Sequence, residues 1–254
     1  MRPIVEQCIV ASLTGVEKGQ KRPDGRPKIR AIIFDFDGLI LETEEPIFRS
    51  WQELYRTFGC ELTLADWAHT IGIASSNIDP YGDLERRLGR PLDRDSLEAQ
   101  RLRREMELIG RQPVLPGVRE YLEDAGCLGL KVGLASSSSC AWVTGHLARF
   151  GLLDYFDSIK AFDDVRRSKP DPEVYLVSLQ ALQVRPEQAV VFEDSANGIL
   201  AARRAGIFCV AVPSALTRRL PLGRPDLRLD SLAEIPLAAL LQKIEGNSCP
   251  RREI

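Results

Sequence analysis

Four short and predominantly apolar runs, at residues 31–34, 130–135, 189–192 and 207–212, punctuate the chain, and segments of helical periodicity separate them. Runs this short and this apolar fit strands buried on both faces. Their alternation with helices predicts an α/β fold, a doubly wound, Rossmann-like parallel sheet with helices packed on it. Pro116 and Pro172 suit first helical turns, and Gly151 and Gly206 follow apolar-periodic stretches as helix-ending glycines do.

One stretch breaks the alternation. Some 95 residues separate the first two runs, and they carry Ile47, Phe48, Trp51, Leu54, Tyr55 and Phe58, then Leu84, Leu88, Leu97, Leu102, Met106 and Ile109, at helical spacing. A parallel crossover needs only about a dozen residues. The excess predicts an inserted α-helical cap subdomain above the carboxyl end of the first strand, where ligands bind in open α/β sheets. The expected division is an extended or disordered leader over 1–28, an α/β core over 29–44 and 112–245, the cap over 45–111 and a flexible tail over 246–254.

Composition narrows the function. Lys plus Arg number 34 against 36 Asp plus Glu, a net charge of −2 that advertises no nucleic-acid partner. The basic stretch over 17–30 reads as a solvated leader. No apolar run approaches the roughly 18 residues of a membrane helix, and none resembles the roughly 7–15-residue core of a signal peptide, so no membrane partner and a cytoplasmic location are expected. The six cysteines, at 8, 60, 127, 140, 209 and 249, form no Cys-x-x-Cys pair and no zinc spacing, and read as dispersed thiols.

Four polar clusters follow the predicted strands and so fall on one edge of the sheet. Asp35-Phe36-Asp37-Gly38 places two carboxylates on one side of an extended chain, before a glycine that permits a sharp turn. Such a pair needs a shared proton or a cation such as Mg²⁺; alternatively it is an Asx-type loop. Ser136-Ser137-Ser138-Ser139 offers hydroxyls and backbone N–H groups to a phosphate, or simply caps a helix. Lys169 stands between Ser168 and Pro170, and Glu193-Asp194 forms a second acidic pair. Acids, hydroxyls and a lysine at adjacent strand ends compose a site for phosphoryl transfer through an aspartyl nucleophile with a metal ion.

In these four motifs, in their order and spacing, the sequence resembles the haloacid dehalogenase-like hydrolase superfamily, in its phosphoglucomutase-like subgroup with a helical cap, over residues 29–241. The resemblance implies Asp35 as the nucleophile and Asp37 as general acid and then base, with its carbonyl on the metal. Ser136 and the Ser137 backbone N–H would hold the phosphoryl oxygens, and Lys169 would balance their charge. Asp194 would join Asp35 and Asp37 at Mg²⁺, with Glu193 either a further ligand or a group behind it. The activity implied is Mg²⁺-dependent hydrolysis of a small phosphorylated metabolite, such as a sugar phosphate, by a monomer.

The chain also departs from the pattern. Glu42 stands where the family usually has Asp. Residues 43–48 lack the histidine of the mutase branch, and residues 71–77, which resemble the specificity loop, lack an arginine. His69 and His146 read as structural or exposed rather than catalytic. A β-phosphoglucomutase-like mutase is therefore the second reading; a phosphoryl-accepting signalling module and a silent binding protein follow it. A substrate-reading role is expected for 73–77. Trp51, Trp67 and Trp142 read as core residues and are assigned no function.

Overall fold

The computed structural model describes residues 28–72 and 79–246. The leader and the tail lie outside these, apart from Lys28 and Gly246, as does the whole stretch 73–77.

Six strands, β1 (Ala31–Phe34), β2 (Lys131–Ala135), β3 (Ser158–Lys160), β4 (Ala189–Glu193), β5 (Phe208–Ala211) and β6 (Leu227–Arg228), form one parallel sheet in the order β3-β2-β1-β4-β5-β6. The four apolar runs are its four inner strands. Ile33 pairs in register with Gly133 on one side and Val191 on the other. The chain builds outward from β1 through β2 to β3, then returns to β4 on the other flank of β1. That reversal opens a crevice beyond the carboxyl ends of β1 and β4.

Strand periodicity distributes the core to two faces. Ile32, Phe34, Val190 and Phe192 pack with α5 (Val118–Cys127), α6 (Cys140–Arg149) and α9 (Leu237–Gly246). Ala31, Ile33, Ala189 and Val191 pack with α7 (Glu173–Leu182) and α8 (Ala196–Arg204) on the other. The two edge strands carry no continuous apolar run, because each has a neighbour on one side only; β3 spans three residues and β6 two. Sequence patterning therefore missed both.

Between β1 and β2 lie α1 (Glu44–Thr57), α2 (Leu64–Trp67), α3 (Pro80–Leu88) and α4 (Arg94–Gly110). Their starts are locally encoded. The Thr63 hydroxyl caps α2, Asp79 accepts the Gly82 N–H of α3 behind Pro80, and Asp93 accepts the Ser96 N–H of α4. Phe48, Trp51, Tyr55, Trp67, Tyr81 and Leu84 form a hydrophobic cluster of their own, with the Trp51 and Tyr81 rings 4.8 Å apart. Within it the Arg101 guanidinium lies 4.5 Å from the Trp51 ring and pairs with Glu98 and the buried Glu105. Trp51 and Trp67 thus fill a core.

Among the described residues no helix is long and apolar enough to cross a membrane. Cys60, Cys127, Cys140 and Cys209 carry no disulfide; Cys8 and Cys249 lie outside the described residues.

Candidate active site

The four polar clusters meet beyond the carboxyl edge of the sheet. β1 delivers Asp35 and Asp37, β2 runs directly into Ser136–Ser138, Lys169 stands just before α7, and β4 ends in Glu193 and Asp194. Asp35, Asp37, Ser137, Ser138 and Lys169 line one cavity of about 100 Å³. Glu44 at the start of α1, with Ile47, Trp67, Thr70 and Gly72 of the helical insertion, closes its other side. The volume suits a phosphoryl-sized group rather than a whole drug-sized ligand.

Lys169 is almost wholly buried, at 2% exposure, and its three ammonium protons are all matched. It donates to Asp35 Oδ1 at 2.6 Å, Glu193 Oε1 at 2.6 Å and the Ala135 carbonyl at 2.9 Å. Burial by itself works to lower its pKa, but the carboxylates of Asp35 and Glu193 outweigh that and raise it, so the ammonium stays charged.

Glu193 is engaged on both oxygens. Oε1 accepts from Lys169 and from the Tyr175 hydroxyl at 2.5 Å; Oε2 accepts from the backbone N–H groups of Asp194 and Ser195 and from Ser195 Oγ. This environment favours the second of the two roles the resemblance leaves open: Glu193 anchors Lys169 from behind. Gly198, inside α8, makes room for it, since a Cβ there would lie 1.8 Å from Glu193 Oε1.

Asp37 accepts four hydrogen bonds: Thr43 Oγ1 at 2.7 Å and Trp142 Nε1 at 3.1 Å on Oδ1, Ser138 Oγ at 2.6 Å and Ser136 Oγ at 3.4 Å on Oδ2. Ser139 caps α6 by accepting the Trp142 N–H. Of the serine run, Ser139 serves the helix, while the Ser136 and Ser138 hydroxyls donate to Asp37 and the Ser137 hydroxyl to the Gly72 carbonyl. Trp142, assigned no function on sequence, touches Asp37 directly. The legible signal was its place in the first turn of the helix that follows Ser136–Ser139.

One carboxyl oxygen each from Asp35, Glu193 and Asp194 lie mutually within 4.8 Å, all on buried residues. Burial, then the Glu193 charge, pushes the Asp35 carboxyl up to about 8 against the pull of Lys169. Asp194 is raised as well, by burial first and then by Asp35 and Glu193. One ammonium does not balance these acids together with Asp37. An oxygen-only donor set with surplus negative charge fits a hard divalent cation such as Mg²⁺, through Asp35 and Asp194. Gly38, at φ +78°, keeps this space clear; a Cβ would fall 2.1 Å from Asp194 Oδ2. Thr217 Oγ1 orients the same Asp194 oxygen at 3.2 Å.

The insertion is tied to the core at its last described residues before position 73. Asn197 Nδ2 donates to the Ile71 carbonyl at 2.8 Å and Ser137 Oγ to the Gly72 carbonyl at 3.1 Å. Burial, then Asp37 and Glu42, raise the pKa of Glu44 well above the ordinary value. Glu42 accepts the Glu45 N–H at 3.1 Å and so caps α1, which accounts for a carboxylate at that position. His146 is buried, stacks on Phe36 and takes no place in the cavity; His69 lies by a separate hollow of the insertion.

Comparison with known proteins agrees with this geometry. The family model described as haloacid dehalogenase-like hydrolase matches residues 32–212. YhcW of Bacillus subtilis is 43% identical over 220 residues, covering 87% of this chain and 100% of that protein. Hexitol phosphatase B of Escherichia coli is 32% identical over 219 residues, covering 84% and 97%. The crystal structure of CbbY from Rhodobacter sphaeroides in complex with phosphate superposes with a TM-score of 0.65 at 30% identity, over 84% of this chain and 99% of that one. The doubly wound sheet, the acid and lysine edge and these matches together establish that the chain belongs to the haloacid dehalogenase-like hydrolase family.

Proposed function

We propose that this chain is a Mg²⁺-dependent phosphatase of small phosphorylated metabolites, sugar phosphates foremost, with the insertion over 45–111 acting as a cap on the core. The observation that carries the reading is the buried Asp35 carboxylate, held 2.6 Å from Lys169 in a cavity shared with Asp37 and the serine loop. Relatives named hexitol phosphatase and fructose-1-phosphate phosphatase support the substrate class.

Asp35 attacks phosphorus; the bond to the leaving oxygen breaks as that oxygen takes a proton from Asp37. Asp37 then removes a proton from the water that hydrolyses the aspartyl phosphate. Ser136 and the Ser137 N–H bind the phosphoryl oxygens and Lys169 offsets their charge, an electrostatic task because an anion attacks an anion. Asp35, Asp194 and the Asp37 carbonyl would hold Mg²⁺, which when bound would supply further positive charge against the phosphoryl group. The cap excludes water while it is closed.

Ile47 lines the cavity within the stretch where the mutase branch carries its histidine, so no imidazole from 43–48 exchanges protons there. That favours hydrolysis over mutase chemistry. The test is inorganic phosphate release from a panel of sugar phosphates and other phosphomonoesters, with Mg²⁺ and with a chelator, using Asp35→Asn as the blank. Metal-dependent release lost in Asp35→Asn is expected. Turnover retained in Asp35→Asn would overturn the mechanism, and isomerisation without phosphate release would favour the mutase.

A further inference from the structure

Trp142 enters the site through one bond, and that bond has a fixed direction. An indole N–H only donates, whereas a hydroxyl can also accept. Asp37 Oδ1, 3.1 Å from Trp142 Nε1, must therefore be an acceptor in every protonation state that keeps this contact. Thr43 Oγ1, 2.7 Å away, donates to the second lone pair of the same oxygen, so with both donors in place a proton on Asp37 goes to the other oxygen. That oxygen, Oδ2, is 2.6 Å from Ser138 Oγ and 3.4 Å from Ser136 Oγ, on the serine loop that borders the cavity.

The indole is itself braced. Its ring meets His146, one helical turn on, edge to face at 4.6 Å, and His146 stacks on Phe36 at 6.0 Å, between the two motif aspartates. The residue that donates to Asp37 is thus wedged against the segment that carries Asp37.

We propose that Trp142 is a positioning residue for proton transfer: by holding Asp37 Oδ1 as an acceptor it directs the acid proton to Oδ2, from which the leaving oxygen takes it as its bond to phosphorus breaks and the bond from Asp35 forms. The proposal rests on the reading of Asp37 as the general acid. It makes the contribution of Trp142 depend on how much the leaving group needs that proton. An alkoxide must be protonated to leave, whereas p-nitrophenolate leaves as the anion.

The experiment compares kcat/KM for p-nitrophenyl phosphate with kcat/KM for the sugar phosphate that the wild type turns over fastest, in wild type and in Trp142→Phe. This parameter stops at departure of the leaving group, so it is blind to hydrolysis of the aspartyl phosphate, which both esters share. General acid–base catalysis is worth about 10²–10⁴-fold, and a misdirected rather than absent acid should cost the sugar phosphate about tenfold or more. The activated ester should change by no more than about twofold on the same reasoning. The ratio of the two values is independent of how much enzyme is folded, so a purely structural role leaves it unmoved. Trp142→Leu, which also lacks the N–H, is read in the same way and covers failure of either variant to fold. An unchanged ratio in an active enzyme would overturn the role of Trp142 alone; a wild type that releases phosphate from neither ester would overturn the phosphatase reading with it.

Discussion

Lys169 Nζ lies 2.6 Å from Asp35 Oδ1 and equally 2.6 Å from Glu193 Oε1, with all three side chains withdrawn from solvent. The lysine thus joins two strand ends, and its removal exposes each carboxylate to the other. Lys169→Met keeps the length of the side chain and loses its charge. Stranding one half of a buried ion pair costs about 3–5 kcal/mol. At about 2–4 °C per kcal/mol for a chain of this size, melting should fall by roughly 10 °C in the absence of metal. Phosphate release should fall at least about a hundredfold, since the nucleophile and the incoming phosphate lose their fixed counter-charge. Thermal melts and initial rates check both.

Metal binding and pH should act in opposite senses. The folded-state pKa of Asp35 is raised from 3.8 to about 8 and that of Asp194 is raised too, so between these limits the folded chain holds protons that the unfolded chain has released. Their contribution is fully present below the unfolded pKa and is lost as pH rises through the folded one. Metal-free protein should therefore lose stability from pH 5 to pH 8. Mg²⁺ competes with those protons, so its stabilisation should grow over the same window. At 100 times its Kd a bound ligand contributes about 2.7 kcal/mol, or roughly 5–10 °C here. Melting curves with Mg²⁺ or chelator at pH 5, 6, 7 and 8 decide it; a Mg²⁺ shift that is flat or shrinks with pH would remove Asp35 and Asp194 as the ligands.

Two helical glycines should respond oppositely to alanine. Gly145 in α6 is exposed with nothing near its missing Cβ, and Gly145→Ala should stabilise by about 0.5–1 kcal/mol through helix propensity. In Gly198→Ala the new methyl would meet the Glu193 carboxylate, which is pinned by five donors and has no room to retreat. That variant should lose stability and, because Glu193 anchors Lys169, lose activity as well. Paired denaturant titrations and rate measurements test the contrast.

Asn197 ties the insertion to the core through the Ile71 carbonyl and is not among the residues that line the cavity. Asn197→Ala should favour opening, raising KM severalfold with a smaller change in kcat, as expected when binding energy is drained into closure. Steady-state kinetics on the best substrate would show it; an unchanged KM would mean that this bond does not hold the insertion shut.

How much was legible follows the physics of each part. The inner strands announced themselves because burial on both faces demands predominantly apolar runs, and 31–34 is β1 to the residue. The edge strands carried no such demand. The polar clusters were legible because a parallel sheet delivers every strand's carboxyl end to one edge, so Asp35, Ser136 and Glu193 could be grouped before any distance was known. Within that group the side-chain contacts were not legible. Trp142 and Asp37 are 105 residues apart, and the same tryptophan pattern reads as core packing at Trp51, where it is core packing, and at Trp67, which packs in that core and also lines the cavity.

The sequence by itself determined the fold class, the helical insertion and the edge at which the acids, hydroxyls and lysine gather, because these depend on periodicity and chain order. Only the tertiary structure decided that Glu193 faces Lys169, Tyr175 and its own neighbours' N–H groups, and that an indole holds Asp37. Those choices rest on side-chain direction and on contacts across the chain, where a few tenths of an ångström separate a hydrogen bond from none, and local sequence encodes no such distance.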